Sequence, residues 1–307
     1  MSYHEPVLLD KIIQMFNIKK TNKYLDMTLG GGGHSIEILK KLDENKGLLV
    51  GVDQDIDAIN YAEKRFEKYN NYELYNHNFN DEKLWKKLEE YKFDGILFDL
   101  GVSMKQLKNA ERGFSFNLDG PLDMRMDKNS KLTAAEVVNS YGKKLLADII
   151  YKYGEERKSR RIARKIVENR PIKTTGELAD VVRSCFSTGK RKKTRKDMAT
   201  RTFQALRIYV NNELNILESA LDHAIKKLKK GGRLQVISYH SLEDRIVKLK
   251  FKRESKDCIC PPEIPVCRCG HKASVKLINK SVITPEKKEK DKNPSSRSAK
   301  LRVVEKI

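Results

Sequence analysis

The chain has 307 residues, long enough for one large or two ordinary domains with a real core. With 39% hydrophobic and 34% charged residues and no apolar run near the roughly 18 residues a bilayer span needs, it is not a membrane-spanning enzyme. Met1-Ser2-Tyr3-His4-Glu5-Pro6 lacks the basic region and apolar run of a secretory signal, so a cytoplasmic protein is expected. The net charge of +21 is unevenly placed: −3 over residues 1–142, +12 over 143–201, +2 over 202–245 and +10 over 246–307. A near-neutral first part followed by basic parts predicts small-molecule chemistry coupled to a surface that attracts a polyanion such as nucleic acid; solvated lysine-rich faces are the bland alternative.

In chain order, Tyr24 to Thr28 reads as a strand, and Gly30-Gly31-Gly32-Gly33 opens a helical segment from His34 to Leu42. Leu48 to Val52 is a continuous apolar strand, followed by a helix carrying Ile56, Ile59, Ala62 and Phe66. Tyr72 to His77 is a weaker strand and Leu84 to Tyr91 another helix. Gly95-Ile96-Leu97-Phe98 is a strand buried on both faces that ends at Asp99. This alternation predicts a doubly wound α/β sheet. The rhythm stops after Asp99. A Gly/Pro/Asp-rich loop, Arg112 to Asp127, leads into helical patterns at Ala134 to Asn139, Leu145 to Tyr153 and Ile162 to Val167, then the basic run Lys190 to Lys196.

Helical periodicity returns from Phe203 through Ile225, and Gly231-Gly232 precedes a strand from Arg233 to Ser238. The layout expected is a discontinuous α/β domain, 1–105 with 205–307, interrupted by an inserted helical domain, 106–204. The Lys/Pro/Ser-rich stretch Thr284 to Ser298 is expected to be a loop or mobile arm.

Three features carry chemistry. The glycine run lies between strand and helix, where missing side chains admit a nucleotide-like ligand to the backbone and the helix N-terminus. Asp53, at the end of the second strand, is placed to accept hydrogen bonds from both ribose hydroxyls, with Asp55 as competitor. The run does not keep dinucleotide spacing, because Gly30 and Gly32 would call for glycine at Ser35, and this favours S-adenosylmethionine over a dinucleotide. Asp99 ends the fourth strand, where ligands bind in open α/β sheets. With a methyl donor alongside, Asp99 would accept a hydrogen bond from the amino group of cytosine or adenine and aim its nitrogen at the methyl group. Methylation at carbon would need a cysteine nucleophile, and the loop after Asp99 has none. Finally, Cys258, Cys260, Cys267 and Cys269 form two C-x-C pairs; these suit either a tetrahedral metal site or free thiols in a loop shaped by Pro261, Pro262 and Pro265, and the spacing is not that of common zinc knuckles.

The segments Thr28 to Ser35, Phe98 to Ser103, Glu111 to Phe116, Gly120 to Asp127, Tyr153 to Arg157, Ala199 to Ile208, His240 to Arg245 and Ser295 to Arg302 resemble the signatures of the bacterial small-subunit ribosomal RNA cytosine N4-methyltransferases of the MraW or RsmH type. The resemblance spans essentially the whole chain. It implies a class I (Rossmann-like) methyltransferase domain with an inserted helical substrate-recognition domain, using S-adenosylmethionine to methylate one cytosine in the decoding region of small-subunit ribosomal RNA. It also implies cofactor contacts at Gly32, Gly33, His34, Asp53, Phe79, Asp99 and Gln106, and small-subunit ribosomal RNA, within the assembled or nearly assembled subunit, as partner; the catalytic role of Asp99 rests on its place at the strand end. No metal role follows from it. Arg112, Phe114, Phe116 and Arg125 are candidates to hold an extruded base, or else to pack between domains. A nicotinamide-dependent dehydrogenase, a DNA amino-methyltransferase and a non-catalytic RNA-binding assembly factor are the rival readings. The DNA enzymes usually carry Asx or Ser before Pro-Pro and an aromatic residue, where this chain has Asp99-Leu100-Gly101-Val102.

Overall fold

The computed structural model describes residues 6–186, 197–264 and 266–307; the basic run Lys190 to Lys196 lies outside the described residues. The chain divides into two units, Met1–Gly101 with Leu214–Ile307, and Val102–Glu213.

The first unit is built on a seven-stranded sheet: β1 Lys23–Asp26, β2 Leu48–Asp53, β3 Tyr72–Asn76, β4 Phe93–Asp99, β5 Leu228–Ser238, β6 Val275–Leu277 and β7 Lys300–Lys306. Their order is β3-β2-β1-β4-β5-β7-β6, parallel except at β7, which runs antiparallel to both β5 and β6. Apolar residues on successive strand positions explain why both faces are covered. In β4, Ile96 and Phe98 join a cluster with Leu217, Leu221, Val247 and Phe251, while Leu97 between them packs with Ile12, Phe16, Ile36 and Phe66. The strand order reverses between β1 and β4, the crevice where ligands bind in such sheets.

The second unit is helical: Met104–Lys108, Ala134–Ser140, Lys143–Gly154, Ser159–Glu168, Thr175–Ser184 and Thr200–Val210. Its core joins Leu122, Met124, Val137, Ile150, Ile162, Leu178 and Leu206, all nearly inaccessible. Local signals set its helix starts; Thr174 and Glu177 form a reciprocal capping box that opens Thr175–Ser184.

Three expectations need correction. The periodic stretch from Phe203 to Ile225 is two helices, Thr200–Val210 and Glu213–Lys227, since Asn212 turns the chain through φ 50°. Asn211 meanwhile accepts from Met126 N–H and donates to the Met124 carbonyl, 2.8 Å each. The apolar period runs on across this break, so the division falls at 213/214 rather than 204/205; at the other junction it falls at 101/102 rather than 105/106. Secondly, β5 begins at Leu228 rather than Arg233, and the close backbone packing of Gly232 on the Phe93 carbonyl, 2.8 Å from an added Cβ, suits glycine alone. Thirdly, the stretch Thr284 to Ser298 contains the helix Lys287–Lys292 and the 3₁₀ turn Pro294–Ser298, and Glu289 accepts from Leu8 N–H at 2.8 Å.

Candidate active site

After β1 the backbone is held from both sides: Met27 N–H donates to Leu97 of β4 and Leu29 N–H to Val52 of β2. The glycine run follows. Gly32 has φ +66°, and a Cβ there would lie 2.6 Å from the buried Phe66 ring, so this position accepts no side chain without displacement. Arg65 donates to the Gly31 carbonyl at 2.7 Å, fixing the loop from the following βα unit. The helix Gly33–Leu39 begins at the loop and directs its first amides toward it.

Asp53 ends β2. Its Oδ2 accepts from Gly30 N–H and its Oδ1 from Asp55 N–H, both at 2.8 Å, and each oxygen keeps a second lone pair. Burial pushes its carboxyl up to about 6 against these two bonds. Asp55 instead accepts from Asp57 N–H and caps the helix Ile56–Arg65. A carboxylate with spare acceptor capacity beside a side-chain-free loop fits the ribose and backbone-facing parts of S-adenosylmethionine.

Asp99 ends β4. Its N–H donates to Thr28 Oγ1 at 2.6 Å, and the Leu100 N–H donates to Ile237 of β5, so the residue is fixed between the first and fifth strands. Tyr239, directly after β5, donates its hydroxyl to Asp99 Oδ1 at 2.8 Å. On the other side, His34 Nδ1 stands 3.8 Å from Asp99 Oδ2. The other His34 nitrogen, Nε2, lies 2.9 Å from the Val7 carbonyl; a carbonyl only accepts, so this nitrogen carries the hydrogen. Burial raises the Asp99 carboxyl to about 6, opposed by His34 and by the Tyr239 bond and reinforced by the nearby charges of Asp26 and Glu243. Burial and the charge of Asp99 together push the Tyr239 hydroxyl well above the ordinary tyrosine range, so it remains a donor. Glu243 in turn accepts from Tyr239 N–H at 2.9 Å and from His240 N–H at 3.3 Å, within the capping box of the helix Ser241–Glu254.

Thus Gly32, Gly33, His34, Asp53 and Asp99 stand together along the carboxyl ends of β1, β2 and β4. Phe79, after β3, packs edge-on against Phe98, ring centroids 5.8 Å apart, and remains partly exposed. Gln106 belongs to the helical unit, where its Oε1 accepts from Ser103 N–H at 3.1 Å in a capping box. Sequence reasoning missed Tyr239 and Asp26. The buried Asp26 accepts from Ser35 Oγ at 2.7 Å and from Thr28 N–H at 3.1 Å, tying the loop to the helix that follows. A polar residue at the end of β1 was the available signal for Asp26; Tyr239, one residue beyond β5, offered none.

The candidates for holding an extruded base are committed elsewhere. Arg112 is buried, with its guanidinium on the Arg125 and Met126 carbonyls; Arg125 forks onto Asp123 at 2.8 Å; Phe114 is core, and Phe116 packs on Phe203. These contacts secure the loop of the helical unit, with Arg112 and Phe114 buried and Phe116 and Arg125 partly exposed.

The sequence model of the MraW methylase family matches residues 1–307. The chain belongs to that family. Among its relatives is a ribosomal RNA small subunit methyltransferase H from Clostridium botulinum (strain Kyoto / Type A2), 50% identical over 99% of both chains. The proteins of the same description from Caldicellulosiruptor saccharolyticus and Halothermothrix orenii are 51% and 45% identical, over 100% of this chain and 100% and 99% of theirs. The α/β sheet with its inserted helical unit is therefore the class I methyltransferase fold of this family, and the dehydrogenase reading falls. Among the described residues, no helix is long and apolar enough to cross a membrane.

Proposed function

We propose that this chain transfers a methyl group from S-adenosylmethionine to the N4 amino nitrogen of one cytosine in the decoding region of small-subunit ribosomal RNA. Family membership over the full chain supports that reaction, as do the relatives described as small-subunit ribosomal RNA methyltransferases. The observation that carries the chemistry is Asp99, a carboxylate at the switch point of the sheet with one oxygen held by Tyr239.

S-adenosylmethionine supplies an electrophilic methyl group on a sulfonium sulfur. The Gly30–Gly33 loop lets that ligand approach the backbone, Asp53 holds the ribose hydroxyls, and Phe79 flanks the base. With Oδ1 engaged by Tyr239, Asp99 Oδ2 accepts the N4–H of cytosine. This draws the nitrogen lone pair out of conjugation with the ring and orients it, so catalysis rests on positioning and electrostatics. As the N–C bond forms the S–CH3 bond breaks, its electron pair returning to sulfur to leave S-adenosylhomocysteine, and the amino nitrogen gives up a proton toward Oδ2, whose elevated affinity for protons suits it to the task.

The helical unit serves as the RNA-docking part. Arg157, Lys158, Arg160, Arg161 and Arg164 are exposed at and along the helix Ser159–Glu168. They supply phosphate contacts, and the substrate is the assembled or nearly assembled subunit in the cytoplasm. The test offers labelled S-adenosylmethionine with assembled small subunits, naked ribosomal RNA and DNA, then maps the methylated base. Label at cytosine N4 in the subunit is expected; label on DNA alone, or at another atom, overturns the proposal.

A further inference from the structure

The four cysteines that the reaction leaves unused converge. Cys258, Cys260, Cys267 and Cys269 place their sulfurs all within 4.8 Å of one another. Two separations are 3.6 Å, Cys267 to Cys269, and 3.9 Å, Cys269 to Cys258. A disulfide requires about 2.05 Å between sulfurs. Four thiolates at about 2.3 Å from a central zinc ion stand about 3.8 Å apart along each tetrahedral edge. The observed separations match the second arrangement.

The backbone around the sulfurs is arranged in the same sense. Cys260 N–H donates to Cys258 Sγ at 3.4 Å, Arg268 N–H to Cys260 Sγ at 3.4 Å, and Ile259 and His271 N–H both to Cys269 Sγ at 3.5 Å. Four amide dipoles directed at sulfur stabilise thiolates, and four thiolates so close repel one another unless a cation joins them. His271 reinforces the frame, its Nε2 lying 3.1 Å from the Arg253 carbonyl.

Apart from hydrogen bonds near its base, among them Ala273 N–H to Asp257 Oδ1 at 3.2 Å, the described residues of the loop supply no packing to keep this shape. Between the helix Ser241–Glu254 and β6, no described residue from Ser255 to Ser274 is buried; Ile264 and Val266 are exposed and Ile259 is partly so. Its base is closed by Ser274 N–H on the Glu254 carbonyl at 2.8 Å and by Ser274 Oγ on the Glu254 carboxylate at 3.0 Å. A loop of this length with no apolar core normally needs a covalent or metal staple to hold one conformation.

We propose that Cys258, Cys260, Cys267 and Cys269 bind one zinc ion, which staples the loop between this helix and the edge strand β6. A set of four thiolates closes the coordination sphere, so the ion is structural, with no open position for a substrate. Binding releases the thiol protons to solvent, and the ordering energy of the loop becomes metal-binding energy.

The experiment measures metal in the full chain, purified without chelator under reducing conditions, by inductively coupled plasma mass spectrometry. About one zinc per chain is expected, falling at least tenfold in Cys258→Ser and in Cys269→Ser and unchanged in Cys185→Ser, whose thiol lies in the helical unit. As a readout independent of variant folding, the reduced, metal-stripped wild-type chain should develop the thiolate charge-transfer and tetrahedral ligand-field bands of an S4 site on adding Co²⁺, bleached by Zn²⁺. Removing the metal should also open Lys256 and Arg268 to trypsin. Absence of metal together with absence of cobalt bands, a chain loaded with iron instead, or two disulfides found by non-reducing mass spectrometry would each overturn the proposal.

Discussion

The Tyr239 hydroxyl donates to Asp99 Oδ1 at 2.8 Å, joining the end of β5 to the end of β4, the strand that borders the crevice on one side. This bond favours the ionised carboxylate and so opposes the burial that raises its pKa to about 6. Acceptance of an N4 hydrogen requires the ionised form, so activity should fall as pH drops through about 6. In Tyr239→Phe the opposing bond is gone and the acidic limb of the kcat/KM profile should move to higher pH. The loss should be about tenfold or more at pH 7 and smaller at pH 8.5. A pH-rate profile in which that limb does not move would remove Tyr239 from its role.

Replacing Asp99 by Asn should separate activity from stability. Turnover should drop by about 10²-fold or more. A carboxyl whose folded pKa is raised favours folding fully below its unfolded value of 3.8 and loses that contribution as pH climbs through about 6. At pH 7 the charged Asp99 therefore costs stability that Asn does not, by at most about 3 kcal/mol. The Asp99→Asn chain should melt above wild type at pH 7, with the gap closing toward pH 4. Differential scanning calorimetry at the two pH values checks this.

The glycine loop can be probed by two substitutions with different consequences. At Gly32 an added Cβ meets both a positive φ and the Phe66 ring at 2.6 Å; at Gly30 it meets a positive φ with the nearest atom 3.9 Å away. Gly32→Ala should weaken S-adenosylmethionine binding at least tenfold, while Gly30→Ala pays chiefly the conformational cost of about 1–2 kcal/mol. RNA affinity should be unaffected in both. Isothermal titration with S-adenosylmethionine and filter binding with RNA distinguish them, and equal effects at the two positions would contradict the packing described.

Charge reversal at Arg160, Arg161 and Arg164 should weaken binding to small-subunit RNA and flatten its dependence on salt, by about 0.9 in log-log slope for each phosphate no longer neutralised. S-adenosylmethionine affinity should stay at the wild-type value. The same measurement on reversals within Lys190 to Lys196 reports on the basic run that lies outside the described residues.

The first four strands were legible from their alternation with helices, and β1, β2 and β4 most plainly because each carries apolar residues closed by an aspartate, with Asp53 and Asp99 the two that mark the cleft; β3, with Glu73 inside it, is the weaker pattern. Tyr239 was not, since a tyrosine after an apolar strand reads as core until its hydroxyl is seen to reach Asp99. Neither was β7: Lys300 to Lys306 alternates charge with Leu301, Val303 and Val304, a weak pattern whose place in the sheet depends on partners far away in the chain. The arginines and phenylalanines of the 112–125 loop misled for the opposite reason. Residue type suggested contact with a base, but Arg112 and Phe114 are buried, while the partly exposed Arg125 and Phe116 engage Asp123 and Phe203. The cysteine spacing left metal and free thiols both open, since C-x-C pairs acquire meaning only when the loop is seen to fold back on itself.

The position of β7 bears on how the chain is made. It leaves the ribosome after every other strand, yet it lies between β5 and β6, accepting Arg233 and Lys276 as ion-pair partners through Glu305 at 3.0 Å and 2.7 Å. Until residues 300–306 emerge, β5 presents an unpaired apolar edge to its surroundings, the kind of edge that recruits foreign strands. Translation stalled before codon 300 would thus release a chain with most of its cleft residues present and its sheet open, a species for chaperones and proteases rather than an enzyme with a shortened tail.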